Sequence, residues 1–282
     1  MSTYKLPDNK IPDHLRNVVD TIQEILVEEA LDFLLIGATA RDIIMHGQYD
    51  LESARKTLDV DFAIYVPEWS VYQKVMKKLI ESGKFEETKV AHKLLFKGAE
   101  VDIVPFGNIQ DENGEYAWPP DFMIAMNVAG FNEIHDKGIT LESEDGKFKL
   151  RIAPIEGIAI MKVFAWKDRK HRTQKDGEDI GFIIANYVEL KYDVLYEKYE
   201  DIIEAQDWDT TVSGARILGR DMGEIIKSNP VATTKLIEIL KKELKDEDNS
   251  NMAKVMSKST AGYPKAYKAL ESLLQGIWDI TG

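Results

Sequence analysis

Two aspartates, Asp59 and Asp61, stand two residues apart at the head of the apolar run Val60-Asp61-Phe62-Ala63-Ile64-Tyr65-Val66, which Pro67 closes. In a β-strand, residues i and i+2 point to the same face, so the two carboxylates would lie side by side. Val60, Phe62, Ile64 and Val66 would share the opposite face and pack on a core. Adjacent carboxylates repel unless a cation lies between them, and hard divalent ions such as Mg²⁺ take carboxylate oxygens. Taken alone, the pattern reads first as a strand with one wet face. A third acid, Asp102, stands between Val101 and Ile103 and faces away from both. Beside the pair it would complete a two-metal site; by itself it reads as edge-strand decoration. Gly37-Ala38-Thr39 follows a short apolar run and opens a helical one. Free backbone N–H groups at such a junction hold phosphate oxygens, and a glycine lets the ligand come close to the backbone. Finally, Lys162 to Lys175 carries six bases against the single acid Asp168, a local net of +5 in a chain of net charge −13. That island suits one localised anionic ligand, although a snorkelling Lys162 on a solvated helix end would explain the same residues.

The surrounding sequence supplies elements that could position these groups. Pro12-Asp13 starts a helix whose apolar members Val18, Val19, Ile22, Ile25 and Leu26 recur at helical spacing. Phe33–Ile36 reads as a buried strand, and residues 38–46 as a helix stopped by Gly47. Residues 69–81 read as a helix with Val71, Val75, Leu79 and Ile80 inward. Short strands follow at 85–90, 93–96 and 100–104, and Asp145-Gly146 joins two more in a hairpin. Pro154 opens a helix containing Ile158, Met161, Val163 and Phe164, and the pattern beyond is helical, at 180–187, 215–226, 233–244 and 263–278. The predicted organisation is therefore α+β: a mixed sheet flanked by helices over residues 1–153, then a helical domain over 154–282.

Composition narrows the classes. The chain has 282 residues, 44% hydrophobic and 30% charged, which suits a globular protein with a sizeable core. It has no cysteine, so thiolate metal sites and disulfides are excluded. No apolar run reaches the roughly 18 residues of a membrane span. The amino terminus lacks a signal-peptide core, and a cytoplasmic location is expected. Strong acidity argues against a broadly basic nucleic-acid surface. The five histidines show no metal-ligand spacing, Trp166 suits a helix core, and Tyr187, Tyr192, Tyr196 and Tyr199 read as packing residues.

The order of Gly37, Asp59, Asp61 and Asp102 resembles the nucleotidyltransferase fold of the DNA polymerase β superfamily. A longer run is similar to the AbiEii-like nucleotidyltransferases, a group that includes toxins of type IV toxin–antitoxin systems. It comprises Gly37-Ala-Thr-Ala-Arg41-Asp42, Arg55-Lys-Thr57-Leu-Asp59-Val-Asp61-Phe62, Val101-Asp102-Ile-Val-Pro105-Phe106-Gly107, Trp118-Pro119-Pro120 and Gly130-Phe131-Asn-Glu133. Lys162-Val-Phe-Ala165-Trp166-Lys-Asp168-Arg169 and Lys175-Asp176-x-x-Asp179-Ile180 complete it, so that it spans about residues 30 to 190. Where that family's turn carries a second Gly or a Ser, this chain has Ala38. Gly37-x-x-x-Arg41-Asp42 also resembles the tRNA CCA-adding enzymes, but twelve residues, Gly47 to Leu58, separate His46 from the Asp pair. That link is longer than those enzymes lead one to expect.

The resemblance implies transfer of NMP from an NTP, with release of pyrophosphate. It implies that Asp59 and Asp61 hold Mg²⁺ (or Mn²⁺) and that Asp102 completes the metal site near the acceptor hydroxyl. Gly37, Ala38, Thr39 and Arg41 would then bind the nucleotide with Lys162 and Asp176, Lys162 neutralising phosphate charge. The acceptor stays open between tRNA, a protein hydroxyl and a small molecule, and a cognate antitoxin would be a partner. A catalytically silent protein that only binds nucleotide or a partner protein is the alternative.

Overall fold

A computed structural model describes residues 3–53, 58–205 and 208–282. The chain divides into two compact units, Met1–Pro154 and Ile155–Gly282. Arg55 and Thr57, part of the motif run above, lie outside the described residues.

The first unit is built on an eight-stranded mixed sheet. Its strands are β1 (Thr3–Leu6), β2 (Phe33–Ile36), β3 (Val60–Val66), β4 (Phe85–Glu87), β5 (Lys93–Phe96), β6 (Ala99–Gly107), β9 (Ile139–Ser143) and β10 (Lys149–Ile152), while β7 (Glu115–Ala117) and β8 (Ala125–Asn127) form a separate ribbon. The sheet order is β1-β9-β10-β2-β3-β6-β5-β4. At its centre β3 runs antiparallel to β2 and parallel to β6. Helices α1 (Asp13–Glu28), α2 (Gly37–Asp42), α3 (Trp69–Glu81) and α4 (Phe131–Asp136) complete the unit.

Sequence explains the centre. β2 is buried throughout, as a strand covered on both faces should be. On β3, Val60, Phe62, Ile64 and Val66 are fully buried while Asp61 and Tyr65 are only half-buried, the expected alternation. Each of those four apolar side chains contributes about 1.5–3 kcal/mol on burial. α1 presents Leu15, Val18, Val19, Ile22, Ile25 and Leu26 to the core. α3 departs from the predicted face: Tyr72, not Val71 or Ile80, is buried, because its ring joins an aromatic cluster with Trp69, Tyr116 and Trp118. Nor does Gly47 stop the second helix, since a π-turn over Ile43–Gln48 carries it on and buries Ile43, Ile44 and Met45.

The second unit is helical: α5 (Ile155–Arg169), α6 (Lys175–Leu190), the short α7 (Leu195–Lys198) and α8 (Glu200–Ile203), α9 (Thr210–Ile226), α10 (Pro230–Glu243), α11 (Asn251–Met256) and α12 (Tyr263–Thr281). Gly219 and Gly276 let α9 and α12 touch backbone to backbone, since a Cβ on either would come within 2.2 Å of a carbonyl oxygen on the other helix. Of the four tyrosines expected to pack, Tyr187 and Tyr199 are buried but Tyr192 and Tyr196 are exposed; they sit on the short turns between α6 and α8, where helical spacing does not continue. No helix among the described residues is long and apolar enough to cross a membrane.

Candidate active site

Strand pairing gathers the carboxylates of the first unit. In the parallel β3–β6 register Asp61 lies opposite Asp102, and Ile36, the last residue of β2, flanks Asp61 on its other side. Register partners on neighbouring strands point to the same face. Asp59, just before β3, and Asp61 and Asp102 are all half-buried, while Val60, Phe62, Val101 and Ile103 beside them are buried and Leu58 is exposed. The sheet thus has an acidic, water-accessible face at its centre, at the end of β2 where the chain turns into α2.

Gly37 makes that turn with φ of +74°, in the left-handed region that glycine tolerates. A Cβ at this position would lie 2.0 Å from Asp61 Oδ2. The absence of a side chain therefore makes room for the carboxylate against the turn. Thr39 is buried, and its hydroxyl donates to the carbonyl of Asp59 at 2.5 Å. That bond ties the segment carrying Asp59 to α2, and it occupies the hydroxyl proton that might otherwise have met a phosphate. Ala38 is buried as well. Arg41 is 1% exposed, its guanidinium donating to Asp42 Oδ1 (Nε, 2.8 Å) and Ser53 Oγ (3.1 Å). Whatever Ala38, Thr39 and Arg41 contribute to a ligand runs through the backbone they hold in place; Gly37, half-buried, is the accessible member.

Asp102 has neighbours that spacing alone did not reveal. Lys97-Gly98 joins β5 to β6 as a two-residue hairpin with both residues at positive φ, which sets Lys93 opposite Asp102. The Lys93 ammonium also bonds Glu100 and lies 3.3 Å from Asp102 Oδ1. At that distance the charges pair, yet Oδ1 is buried without a well-directed hydrogen bond. Burial pushes the Asp102 carboxyl above its usual range, against the lowering effect of His92 and Lys93. His92 stacks on Trp118 with ring centroids 5.2 Å apart, and burial pushes its imidazole down. The Tyr72 hydroxyl donates to the Ile103 carbonyl at 3.0 Å, so the aromatic cluster abuts the strand that carries Asp102. The Lys97-Gly98 turn was the signal in the sequence that would have placed Lys93.

These donors suit a hard divalent cation, being carboxylate oxygens on adjacent strands with one buried oxygen lacking a directed bond. As they stand, no three acidic or imidazole side chains among the described residues converge closely enough to hold a metal ion. Asp102 leans on Lys93, and Asp61 on the Gly37 turn.

In the second unit Lys162 is buried on α5, its ammonium 2.7 Å from Asp179 Oδ2 and 3.2 Å from Asp176 Oδ1. Arg169 grips Asp176 with two bonds, at 2.7 and 2.8 Å. Burial alone would raise the Asp176 carboxyl, but Arg169 and Lys162 outweigh it and hold it below its usual range. The structure thus brings Lys162 and Asp176 together, in a set where two cations meet two anions. Trp166 is buried, as a core tryptophan should be.

No family model matches the chain, and no curated protein matches it in sequence. Among solved structures it is similar to the antibiotic-resistance factor ANT(2'')-Ia, at 13% identity and a TM-score of 0.37, over 66% of this chain and 90% of that one. A tRNA-processing enzyme in an apo form is 12% identical, with a TM-score of 0.32 over 93% and 78% of the two chains. A Thermotoga maritima CCA-adding enzyme complexed with tRNA is 11% identical, with a TM-score of 0.28 over 97% and 84%. Scores this low describe a loose likeness of chain trace. The functional reading rests on the side chains.

Proposed function

We propose that the protein is a metal-dependent nucleotidyltransferase that transfers NMP from an NTP to an acceptor hydroxyl. The observation that carries this is the register of β3 and β6, which sets Asp61 beside Asp102 next to a glycine turn, with Asp59 two residues before Asp61. A purely structural sheet gains nothing from placing like charges together, whereas a metal–triphosphate complex requires it. Asp59 and Asp61 would hold Mg²⁺ or Mn²⁺, with Asp102 as the third carboxylate. Bound there, the ions would neutralise triphosphate charge and act as Lewis acids toward its oxygens.

The Gly37 backbone would sit against the β- and γ-phosphates. The acceptor oxygen forms its bond to the α-phosphorus as the bond to the oxygen bridging to the β-phosphorus breaks, and pyrophosphate leaves with that electron pair. The hydroxyl proton passes to a carboxylate, and Asp102 is the one whose surroundings favour protonation. Lys162 and Asp176 join this reading through the motif run; their role would be to place one further positive charge for the nucleotide. AbiEii-like membership, a toxin role and a cognate antitoxin belong to the same proposal through the motif order, and the acceptor hydroxyl stays open between tRNA, a protein and a small molecule.

The test is label transfer from each NTP, with Mg²⁺, to total RNA or cell lysate, beside an Asp59→Ala/Asp61→Ala variant. Transfer by the native chain alone supports the assignment, and equal transfer by both chains removes it. No transfer by either chain, combined with no Mg²⁺-dependent NTP binding, favours the catalytically silent protein. Growth arrest on expression, relieved by the double substitution, would separate a toxin from a housekeeping enzyme.

A further inference from the structure

A second charged site lies wholly within the helical unit. The end of α5 and one face of α10 enclose a cavity of about 260 Å³ lined by Trp166, Lys167, Lys170, Lys235, Glu238, Ile239, Lys242 and Glu243. On α10, Lys235, Glu238, Ile239 and Lys242 follow at i, i+3, i+4 and i+7, the spacing of a single helix face. The floor is fixed by Glu243, a buried carboxylate. Its Oε1 accepts from the Trp166 indole at 3.0 Å and from Lys170 at 2.5 Å, and its Oε2 from the Met252 amide at 3.0 Å. Those bonds hold the Lys170 ammonium 6.0 Å from the centre of the Trp166 ring. Lys167 and Lys242 are exposed, and neither has a carboxylate partner among the described residues.

With Lys170 bound to Glu243, the exposed Lys167 and Lys242 supply two positive charges that no carboxylate among the described residues answers. A single carboxylate would balance only half of that, whereas a terminal phosphate, or two neighbouring phosphodiesters, would balance all of it. The lining holds no arginine, so no planar fork is offered to a carboxylate. Compact ammonium groups approaching from two helices suit a tetrahedral anion better. The volume is below the roughly 300–1,000 Å³ of a site that encloses a whole drug-sized ligand. It holds a phosphate and the group esterified to it, which would lie on Trp166 and Ile239.

We propose that this cavity is a binding site for a phosphate-bearing ligand, with Lys167, Lys170, Lys235 and Lys242 arranged around the anion. It explains why a chain of net charge −13 concentrates lysine at the end of α5 and on the facing side of α10. The phosphate can belong to a small molecule or to a nucleic-acid strand, and the two sources separate by experiment. The proposal does not depend on the transferase reading.

Calorimetric titration of the full chain in EDTA, at low salt, with inorganic pyrophosphate and separately with a short single-stranded RNA, tests it. EDTA removes the divalent ions that the acidic face of the first unit would need. A Lys167→Glu/Lys242→Glu variant should bind about tenfold more weakly or worse with an unchanged melting temperature, both side chains being exposed. Glu238→Lys, also exposed, should tighten binding severalfold, a gain that no purely structural role of this face would produce. Pyrophosphate binding without RNA binding assigns the site to a small phosphate; RNA binding that weakens steeply with salt assigns it to a strand. No binding of either probe, or equal binding by the native chain and the double charge reversal, overturns the proposal.

Discussion

The buried ion pairs of the helical unit contrast with the acids at the centre of the sheet. Between α5 and α6 the buried ions meet opposite ones at short range: Lys162 lies between Asp176 and Asp179, and Arg169 holds Asp176 with two bonds. A second such set surrounds Tyr187, whose hydroxyl lies 2.7 Å from both Glu156 and Asp221, while Lys191 binds the same two acids and Tyr199 donates to Asp221 at 2.6 Å. Burial alone would raise the Glu156 carboxyl, yet Lys191 and Tyr187 hold it below its usual range. On the central strands of the sheet, Asp61 and Asp102 instead stand side by side on one half-buried face, with Asp59 just before β3, and burial leaves Asp102 raised. Compensated charge fastens helices together. The acids of the sheet stand together instead, on the face that the proposed function would fill with a divalent cation.

Removing the acids tests this difference most directly. Asp59→Ala/Asp61→Ala should lower label transfer by on the order of 10³ or more while leaving the denaturation midpoint unchanged or higher, since repulsion is relieved. A large fall in stability would show that the acids are structural and sink the contrast. Lys162→Met should do the reverse. It leaves two buried carboxylates short of a cation, and breaking such a set costs about 3–5 kcal/mol, readable in urea denaturation. If Lys162→Met proves neutral in stability but abolishes transfer, the ammonium serves the nucleotide rather than the fold.

Gly37→Ala falls between these two. A non-glycine residue in the left-handed region costs about 1–2 kcal/mol, and the new Cβ would displace the Asp61 carboxylate. Transfer should therefore fall much further than stability does; proportionate losses would mean that the turn matters only for folding. The paired charges of the second unit also predict a pH signature. Burial by itself would raise the Glu243 carboxyl, but bonds from Lys170, Trp166 and the Met252 amide outweigh it and hold it below its ordinary value of 4.5. A lowered pKa adds stability above the unfolded value and loses it as the pH falls through the folded one. The stability difference between the native chain and Glu243→Gln should thus be greatest near neutrality and shrink below about pH 4.5. A difference independent of pH would remove the electrostatic account.

Much of the acidic face was legible because a strand alternates strictly. Val60 to Val66 announced which side Asp61 takes, and the buried run Phe33–Ile36 before Gly37 announced the turn. Register was harder to see, because pairing β3 with β6 depends on tertiary contacts that single-strand periodicity does not encode. Lys93 could have been placed from the Lys97-Gly98 hairpin. Thr39 and Arg41 show another limit: residue type suggested phosphate donors, but only the fold reveals that the Thr39 hydroxyl serves Asp59 and that Arg41 serves Asp42 and Ser53. The compensation of Lys162 hinted at itself in Lys175-Asp176-x-x-Asp179, since a helix puts residues three apart on one face.

Lys93 is where the two charge strategies meet, because it lends a partner to a carboxylate of the otherwise acidic face. Its ammonium lies 3.3 Å from Asp102 Oδ1 and also bonds Glu100, with its side chain only partly exposed. Lys93→Met keeps most of the aliphatic stem and removes the charge. If the pair is mainly architectural, stability should drop by several kcal/mol, as with Lys162. If Lys93 only offsets repulsion until a metal arrives, stability should change by less than about 1 kcal/mol. The concentration of Mg²⁺ needed for half-maximal transfer should then fall by roughly fivefold, since one competing charge has gone. Intrinsic fluorescence offers a readout independent of turnover, because Trp118 stacks on His92, next in sequence to Lys93. Mg²⁺-dependent quenching that moves to lower concentration in Lys93→Met would place the lysine among the groups that tune the acidic face, whereas an unmoved curve would leave it a surface pair.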